Sequence, residues 1–294
     1  MDEAAFGLET ARVAIVGLGL MGASLAMDLR GHCGEIIGIS RSPETLKYAL
    51  DNRIVDRIAS FDPHLDCELM VLAAPVRTII RQLQELGDSS PHATSERTVI
   101  LDLGSTKTEI VKAMQALPDR FDPIGGHPMC GKEVAGIRNA ESNLYRNKMF
   151  VITPLERTSS AALEMVSEMV KVIGAVPLSL TPQRQDGLVA LTSHVPYLVA
   201  SALMQTALTK EDPELWKVAA SGFRDTSRLA ASDLTMMIDI LLTNQEAILE
   251  ALKEYQAELE ILKVMVKEGN ETKLREVLTP IQQKRAALFS QENR

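Results

Sequence analysis

His127 is the residue whose type and setting most strongly suggest chemistry. It stands in the stretch Gly-Gly-His-Pro-Met-Cys-Gly (125–131), directly after a predicted strand, and it is one of five histidines among 294 residues. The glycines before it let the backbone approach another group closely, and Pro128 stiffens the chain after it. Histidine titrates near neutral pH, so a rigidly held imidazole suits removal of a proton from a hydroxyl that is being oxidised. A structural histidine is the simpler alternative, and this setting favours the catalytic one.

A glycine-rich turn near the N-terminus indicates a bound dinucleotide. Gly17-Leu-Gly19-Leu-Met-Gly22 follows a short apolar run and opens a predicted helix. In this pattern the first glycine makes the tight turn, the second lets a pyrophosphate approach, and the third lets helix and strand pack closely. The helix start at Leu20 and Met21 offers free N–H groups to the phosphates. A glycine-rich turn without a ligand is the alternative, which the strand–turn–helix setting disfavours.

The end of the second predicted strand bears on the choice of nucleotide. A carboxylate usually stands there when NAD is preferred, whereas this chain has Ser40, Arg41 and Ser42. These side chains can hydrogen-bond to a 2′-phosphate and pair with it, so we predict NADP, with NAD possible. A solvated Arg41 is the alternative. Ala74, after the next buried strand, completes the predicted cofactor site.

A second polar stretch follows the predicted strand Val99–Asp102. The sequence Asp-Leu-Gly-Ser105-Thr-Lys (102–107) falls at the carboxyl edge of a parallel sheet, where ligands bind in open α/β folds. Ser105 is a candidate for contact with substrate because the glycine before it gives close access. Thr106 and Glu109 fit a helix capping box, and Lys107 reads as a surface lysine.

Two polar clusters interrupt the apolar second half of the chain. Thr-Ser-His194-Val-Pro-Tyr197 (192–197) breaks a very apolar helix, and polar groups buried there need partners. His194 is either a pocket residue or a satisfied core histidine. The stretch 222–228 carries Arg224 and Arg228, and the forked guanidinium of arginine is the preferred clamp for a carboxylate. One of these arginines can instead pair with Asp225.

These residues need a scaffold, and the hydrophobic pattern predicts one. Strand and helix patterns alternate up to about residue 153, which indicates an α/β fold with a Rossmann-type doubly wound parallel sheet. Strands are predicted at 12–16, 35–40, 69–73, 99–102, 122–125 and 149–153, and later helices at 188–208, 231–267 and 272–291. We therefore expect a dinucleotide-binding domain at 1–180 and an all-α C-terminal domain, for substrate and dimerisation, at 181–294.

Composition disfavours several other classes of protein. Hydrophobic content of 46% and charged content of 24% are ordinary for a globular protein. The net charge of −8 argues against partners such as nucleic acid or an anionic membrane. Three cysteines without metal or redox spacing predict no metal site. We see no signal peptide at the N-terminus and no apolar run long enough to cross a bilayer, so we expect a cytoplasmic location.

Taken together, the motifs resemble those of the prephenate/arogenate dehydrogenases of tyrosine biosynthesis. The similar stretches come in the family's order, at 17–26, 102–107, 125–131, 193–196 and 223–228. The resemblance implies a substrate that is a cyclohexadiene with a ring carboxylate and a C4 hydroxyl. It implies that hydride passes from C4 to a nicotinamide cofactor while the carboxylate departs as carbon dioxide and the ring becomes aromatic.

The resemblance also implies roles for particular residues. His127 would accept the proton of the C4 hydroxyl, and Ser105 would hold the same hydroxyl. Arg228 would bind the substrate carboxylate. Glu133 would lie near the substrate side chain, and His194 would line the pocket.

One position departs from the family pattern. Many prephenate-type members carry a second histidine where this chain has Tyr197, at a point that bears on recognition of the substrate side chain. Glu133 could pair with the ammonium of arogenate, so arogenate is favoured over prephenate. The chain ends at Arg294, so we expect no appended regulatory domain. The apolar helices after 180 exceed the needs of one small core, so we predict a homodimer.

Two other interpretations stay open. A 3-hydroxyacid dehydrogenase or an imine reductase shares the glycine turn and a helical second domain, but those enzymes usually rely on a lysine in the helical domain. A non-catalytic nucleotide sensor would keep the fold. Such a sensor gives no reason for His127, Ser105 and Arg228 to occur together.

Overall fold

The first part of the chain is built around a single twisted sheet. The computed structural model describes residues 7–89, 97–132 and 134–289. The strands are β1 Arg12–Val16, β2 Glu35–Ile39, β3 Arg57–Ala59, β4 Leu69–Leu72, β5 Thr98–Asp102, β6 Phe121–Pro128, β7 Met149–Pro154 and β8 Val176–Ser179. Their order in the sheet is β3-β2-β1-β4-β5-β6-β7-β8. Neighbouring strands run parallel except β6 and β7, which are antiparallel.

Helices cover both faces of this sheet. They are α1 Leu20–Leu29, α2 Pro43–Asp51, α3 Val76–Gly87, α4 Thr108–Gln115 and α5 Ser160–Val172. Because side chains alternate along a strand, Val13 and Ile15 belong to the core on one face, whereas Ala14 and Val16 belong to the core on the other. A strand buried on both faces therefore reads as a continuous apolar run. The doubly wound α/β sheet predicted from the sequence is confirmed.

The second part of the chain is helical. Its elements are α6 Pro182–Val189, a π-helical turn Ala190–His194, α7 Val195–Leu208, α8 Pro213–Val218, α9 Ser221–Ser227, a 3₁₀ turn Arg228–Ala231, α10 Leu234–Thr243, α11 Gln245–Glu268 and α12 Glu271–Phe289. The π turn precedes Pro196, which has no N–H to donate to the carbonyl of Thr192 four residues earlier. The wider turn accommodates this missing bond, and such turns occur often at functional sites.

Several predicted elements differ from the structure. The short strands β3 and β8 were not expected, because β3 has three residues and β8 is exposed along its whole length. The helix expected over 231–267 is broken at Asn244. His127 does not follow a strand but lies within β6, which continues to Pro128.

One apolar helical stretch corrects an expectation about membranes. Pro182–Leu208 has a mean hydropathy of 1.5 and is long and apolar enough to span a bilayer by length and composition. The expectation that no run reaches this length is therefore wrong. The stretch carries buried polar residues, Gln185, Asp186 and His194, which bond to neighbouring elements of the protein.

Two aspartates of the helical part dock onto the carboxyl edge of the sheet. Asp186 accepts hydrogen bonds from the backbone N–H groups of Lys107 and Thr108 at 2.7 and 2.8 Å. Asp239 accepts one from the N–H of Arg77 at 3.1 Å. Each carboxylate meets the start of a helix, α4 or α3, where unpaired N–H groups and the positive end of the helix dipole favour an anion. The two parts of the chain therefore meet where a doubly wound fold binds its ligands.

Candidate active site

The glycine turn between β1 and α1 has the geometry of a pyrophosphate cradle. Gly17 has φ +109°, and a Cβ there would lie 2.3 Å from the carbonyl oxygen of Ala73. A Cβ at Gly22 would lie 2.0 Å from the oxygen of Gly17, so this glycine lets the helix pack on the turn. A Cβ at Gly19 would meet nothing within 4 Å. Since Gly19 is the N-cap and has no side chain, the first N–H groups of α1 face this open space.

The other predicted cofactor residues lie at the ends of β2 and β4. Arg41 is exposed after β2. Ser42 is the N-cap of α2, and its hydroxyl accepts a hydrogen bond from the N–H of Thr45 at 3.2 Å. The hydroxyl of Ser40 accepts one from the N–H of Ser42. Ala74 is half-buried between β4 and α3. No acidic side chain occurs among residues 39–43 at this strand end.

The segment after β5 is organised by buried charges and not by the expected capping box. The N-cap of α4 is Lys107, and the carboxylate of Asp186 takes the capping position from the helical part of the chain. Thr106 instead shares a hydrogen bond of 2.8 Å with the hydroxyl of Thr243. Both expectations for this turn are therefore wrong, since Lys107 is also fully buried, with its ammonium on the carboxylate of Asp102.

The glycines before His127 serve the packing of the sheet. A Cβ at Gly126 would lie 2.7 Å from the carbonyl oxygen of Asp102 and 2.8 Å from Leu101, so β5 could not approach β6 as it does. The N–H of Gly126 donates to the Asp102 carboxylate at 3.1 Å. The close approach inferred from the sequence is thus an approach to the neighbouring strand, and it anchors the backbone directly before the imidazole.

His127 carries a neutral imidazole at the carboxyl edge of the sheet. Burial, then the ammonium of Lys107, then His194 lower the pKa of His127 to about 3, and the nearby side chain of Gln185 opposes this fall. Its Nδ1 is buried and has no hydrogen-bond partner within the described residues. A ring that is neutral at pH 7 keeps one lone pair, so it can accept a proton or a hydrogen bond.

Residues of the helical part close the site from the other side. His194 is 1% exposed, and its Nδ1 lies 3.2 Å from the amide nitrogen of Asn244. Burial lowers the pKa of His194 to about 4, so this ring is neutral as well. The amide nitrogen of Gln185 donates to the carbonyl oxygen of Ser105 at 3.2 Å. The structure therefore brings His127, His194 and the backbone of Ser105 into one cluster.

The sequence did not indicate the linking residues Gln185, Asp186 and Asn244. Their only signal was polar character at the ends of apolar helices, and nothing in their spacing identifies the strand or helix they would meet. The buried pair of Lys107 with Asp102 carried no signal beyond their closeness in the chain.

The remaining predicted residues lie farther along the helical part or outside the described residues. Arg224 is exposed and pairs with Asp225 at 3.7 Å. Arg228 is exposed on the 3₁₀ turn that packs against α7. Tyr197 is 9% exposed and packs with Met237 and Ile240. Glu133 falls outside the described residues.

A doubly wound sheet with a glycine turn, followed by a helical part, is an architecture of nicotinamide-dependent dehydrogenases. Residues 25–178 match the family model for the nucleotide-binding domain of prephenate dehydrogenase, and residues 181–280 match the model for its dimerization domain. The chain therefore belongs to the prephenate dehydrogenase family, which confirms the resemblance seen in its motifs.

Individual relatives are similar over most of the chain. Prephenate dehydrogenase of Bacillus subtilis (strain 168) is 34% identical over 263 residues, which are 87% of this chain and 70% of that protein. The crystal structure of prephenate dehydrogenase from A. aeolicus, in complex with hydroxyphenyl propionate and NAD+, has a TM-score of 0.87 and 32% identity, covering 96% of this chain and 99% of that one. Synechocystis arogenate dehydrogenase has a TM-score of 0.80 and 32% identity, covering 94% and 99%.

Proposed function

We propose that this protein oxidatively decarboxylates arogenate, prephenate or both in tyrosine biosynthesis, with hydride transfer to a nicotinamide nucleotide. The observation that carries the proposal is the neutral imidazole of His127 at the carboxyl edge of the sheet, connected through Gln185 to the backbone of Ser105. Membership of the prephenate dehydrogenase family supports this chemistry over that of a 3-hydroxyacid dehydrogenase or an imine reductase.

The glycine turn fits a dinucleotide. Gly17, Gly19 and Gly22 would admit the pyrophosphate, and the N–H groups that begin α1 at Leu20 and Met21 would bind it. The bound nicotinamide supplies the acceptor for the hydride that leaves C4.

His127 would take the proton of the C4 hydroxyl. Its pKa of about 3 keeps it neutral before substrate binds. A substrate carboxylate nearby would raise that pKa, because an opposite charge favours the imidazolium. When the ring carboxylate departs as carbon dioxide, its bonding electrons enter the ring. Lys107 then favours return of the proton from the imidazolium to the phenolic oxygen, since two cations repel each other.

The other site residues would orient the substrate. Ser105 would hydrogen-bond the C4 hydroxyl, and His194 would line the pocket beside His127. Arg228 would bind a carboxylate bidentately. We propose that Glu133 and Tyr197 act on recognition of the substrate side chain. A carboxylate at Glu133 would favour the ammonium of arogenate over the keto group of prephenate.

NADP is the nucleotide that the end of β2 favours. Arg41 is exposed there, and Ser40 and Ser42 flank it without a carboxylate that would repel a 2′-phosphate. The NAD+ bound by the A. aeolicus relative argues for the alternative. The Michaelis constants for NADP and NAD distinguish the two. A clear preference for NAD would refute the assignment to NADP.

We also propose how the whole protein is organised. The chain would divide near residue 180 into a nucleotide-binding domain and a helical domain that pairs two subunits. Large apolar side chains of the helical domain are exposed in the single chain, among them Val218 at 78%, Val266 at 70% and Leu249 at 66%. A second copy of the chain would cover such a surface. We also propose a cytoplasmic location, without membrane or nucleic-acid partners. Light scattering at micromolar concentration tests the dimer, which a monomer would contradict.

The reaction is tested by the absorbance of the reduced nicotinamide with each substrate. Turnover of arogenate or prephenate supports the proposal, and binding of nucleotide without turnover of either would identify a sensor. A strong preference for prephenate would overturn the arogenate assignment. His127→Asn should lower turnover by ~10²-fold or more. Arg228→Ala should mainly raise the Michaelis constant of the substrate.

A further inference from the structure

Two buried polar atoms beside the site lack partners. They are Nδ1 of His127 and Oε1 of Gln185, and neither forms a hydrogen bond of normal length and angle within the described residues. Gln185 is 1% exposed and belongs to α6, the first helix of the helical domain. A buried polar atom without a partner destabilises the fold, so two complementary atoms of this kind at one site call for an explanation.

The orientation of the Gln185 amide follows from its other contacts. Its nitrogen Nε2 donates to the carbonyl oxygen of Ser105 at 3.2 Å and lies 3.3 Å from the carboxylate of Asp186. Both partners are acceptors, so a flipped amide would set oxygen against oxygen at both contacts. The oxygen Oε1 is therefore the end that is left for another group.

That other group is the imidazole of His127. The nearby Gln185 side chain opposes the fall in the pKa of His127, as an acceptor beside a protonated ring does, and its other contacts leave Oε1 as the acceptor end of that amide. The ring is partly exposed and Nδ1 is its buried nitrogen, so Nε2 is the nitrogen directed toward a substrate.

We propose that Gln185 is a positioning residue that fixes the tautomer of His127. The proton stands on Nδ1 and is donated to Oε1, which leaves the lone pair of Nε2 for the substrate hydroxyl. The opposite tautomer would point the Nδ1 lone pair at a carbonyl oxygen and would present an N–H to the hydroxyl. The catalytic meaning of this tautomer rests on the proposed function, whereas the tautomer itself does not.

The same contact ties the imidazole to the docking of the two domains. The neighbour of Gln185 in the chain, Asp186, caps α4 from across the domain boundary. The helical domain thus presents the carboxylate that anchors α4 and the amide that orients His127 from adjacent positions of one helix. Correct seating of α6 on the sheet is the condition for a correctly oriented ring.

Nuclear magnetic resonance of the free enzyme tests the tautomer directly. With ¹⁵N-labelled histidine the chain contributes five imidazoles, and His127→Asn identifies the signals of residue 127. At pH 7 the wild-type ring should carry its proton on Nδ1. A wild-type ring protonated on Nε2 would overturn the proposal, and this result needs no variant of Gln185.

In Gln185→Leu the His127 ring should lose its preference for the Nδ1 tautomer and shift toward protonation on Nε2. Gln82→Leu on α3 is the matched control, because the Oε1 of Gln82 is also buried without a partner, and it should leave the ring unchanged. An unchanged Nδ1 tautomer in Gln185→Leu would contradict the proposal.

Kinetics separate this inference from the proposed function. Gln185→Leu should lower kcat by ~10-fold or more while the Michaelis constant changes less than about threefold, because Gln185 acts on the base and not on the substrate. A kcat within about twofold of wild type would refute the positioning role. An enzyme that shows the Nδ1 tautomer but turns over neither substrate would refute the proposed function and leave the tautomer assignment intact.

Discussion

Replacing Lys107 by methionine should leave a buried carboxylate without its cation. Both side chains of the pair with Asp102 are 0% exposed. Burial raises the pKa of Asp102, and the ammonium opposes that rise. Removing one partner of such a pair typically costs about 3–5 kcal/mol of unfolding free energy, because the other charge stays in the dry interior.

The surroundings of Asp102 limit this cost. The carboxylate keeps two backbone donors, the N–H groups of Gly104 at 2.7 Å and Gly126 at 3.1 Å. The carboxylate can also take up a proton in the folded chain. Protonating a carboxyl whose ordinary pKa is 3.8 costs about 4 kcal/mol of unfolding free energy at pH 7, because the same group is ionised in the unfolded chain. We therefore expect Lys107→Met to lose about 3–4 kcal/mol at pH 7.

The pH dependence gives the sharper signature. In the variant the folded chain would hold one proton more than the unfolded chain at pH values between 3.8 and the raised pKa of Asp102. The deficit in its unfolding free energy relative to wild type should therefore shrink by about 1.4 kcal/mol for each unit that the pH falls below that raised pKa. Lys107→Met and its Lys107 parent are compared in a His127→Asn background. This removes the contribution of that histidine, whose pKa Lys107 also lowers.

Urea unfolding at pH 7, 6 and 5 measures this, at one protein concentration because subunit association would shift the transition. Lys47→Met is the control, since Lys47 pairs with Asp51 on the surface, and it should show no such pH dependence. A loss below about 1 kcal/mol that does not change with pH would refute the idea that Asp102 depends on Lys107 for its charge.

Three further predictions concern stability in acid, the glycine turn between β1 and α1, and the contact of Asp239 with the start of α3. Burial in the folded chain lowers the pKa values of His127 and His194 from 6.5 to about 3 and 4, so each histidine contributes stability above pH 6.5. As the pH falls, each contribution is lost, and the loss reaches about 2 kcal/mol of unfolding free energy at pH 5. In urea unfolding, His194→Asn should therefore lose less stability between pH 7 and 5 than wild type, and an equal loss would contradict this. Gly22→Ala should unfold the turn because the added Cβ has no room. Gly19→Ala should keep the far-ultraviolet circular dichroism of wild type and weaken nucleotide binding in a fluorescence titration. Equal folding defects in the two variants would count against a pyrophosphate site at this turn. Asp239→Ala removes the carboxylate at the start of α3 and should cost about 1 kcal/mol in urea unfolding, and an unchanged midpoint would show that this cap contributes nothing.

Much of the nucleotide-binding part was predictable because its signals are local. A strand buried on both faces must be apolar throughout, so runs such as Arg12–Val16 can be recognised within five residues. The roles of Gly17 and Gly22 follow from a turn that is completed within six residues, and the structure shows the same close contacts. The motifs around His127 and His194 likewise predicted a family that the comparisons confirm.

The errors fall where a residue's partner is distant in the chain. Lys107 was expected at the surface and Thr106 at a helix cap, but the carboxylate that caps α4 comes from Asp186, 79 positions from Lys107. The glycines before His127 were expected to admit a ligand, and the group they admit at Gly126 is the backbone of β5.

The sequence by itself determined the alternation of strand and helix, the nucleotide turn and the identity of His127 as the residue to examine. These depend on periodicity and on turn chemistry, which act over a few residues. Only the tertiary structure decided the electrostatic state of that histidine, because burial, the ammonium of Lys107 and the amide of Gln185 reach it from separate strands and helices. The pKa and the tautomer of a side chain depend on distances between groups in space, and no pattern along the chain specifies those distances.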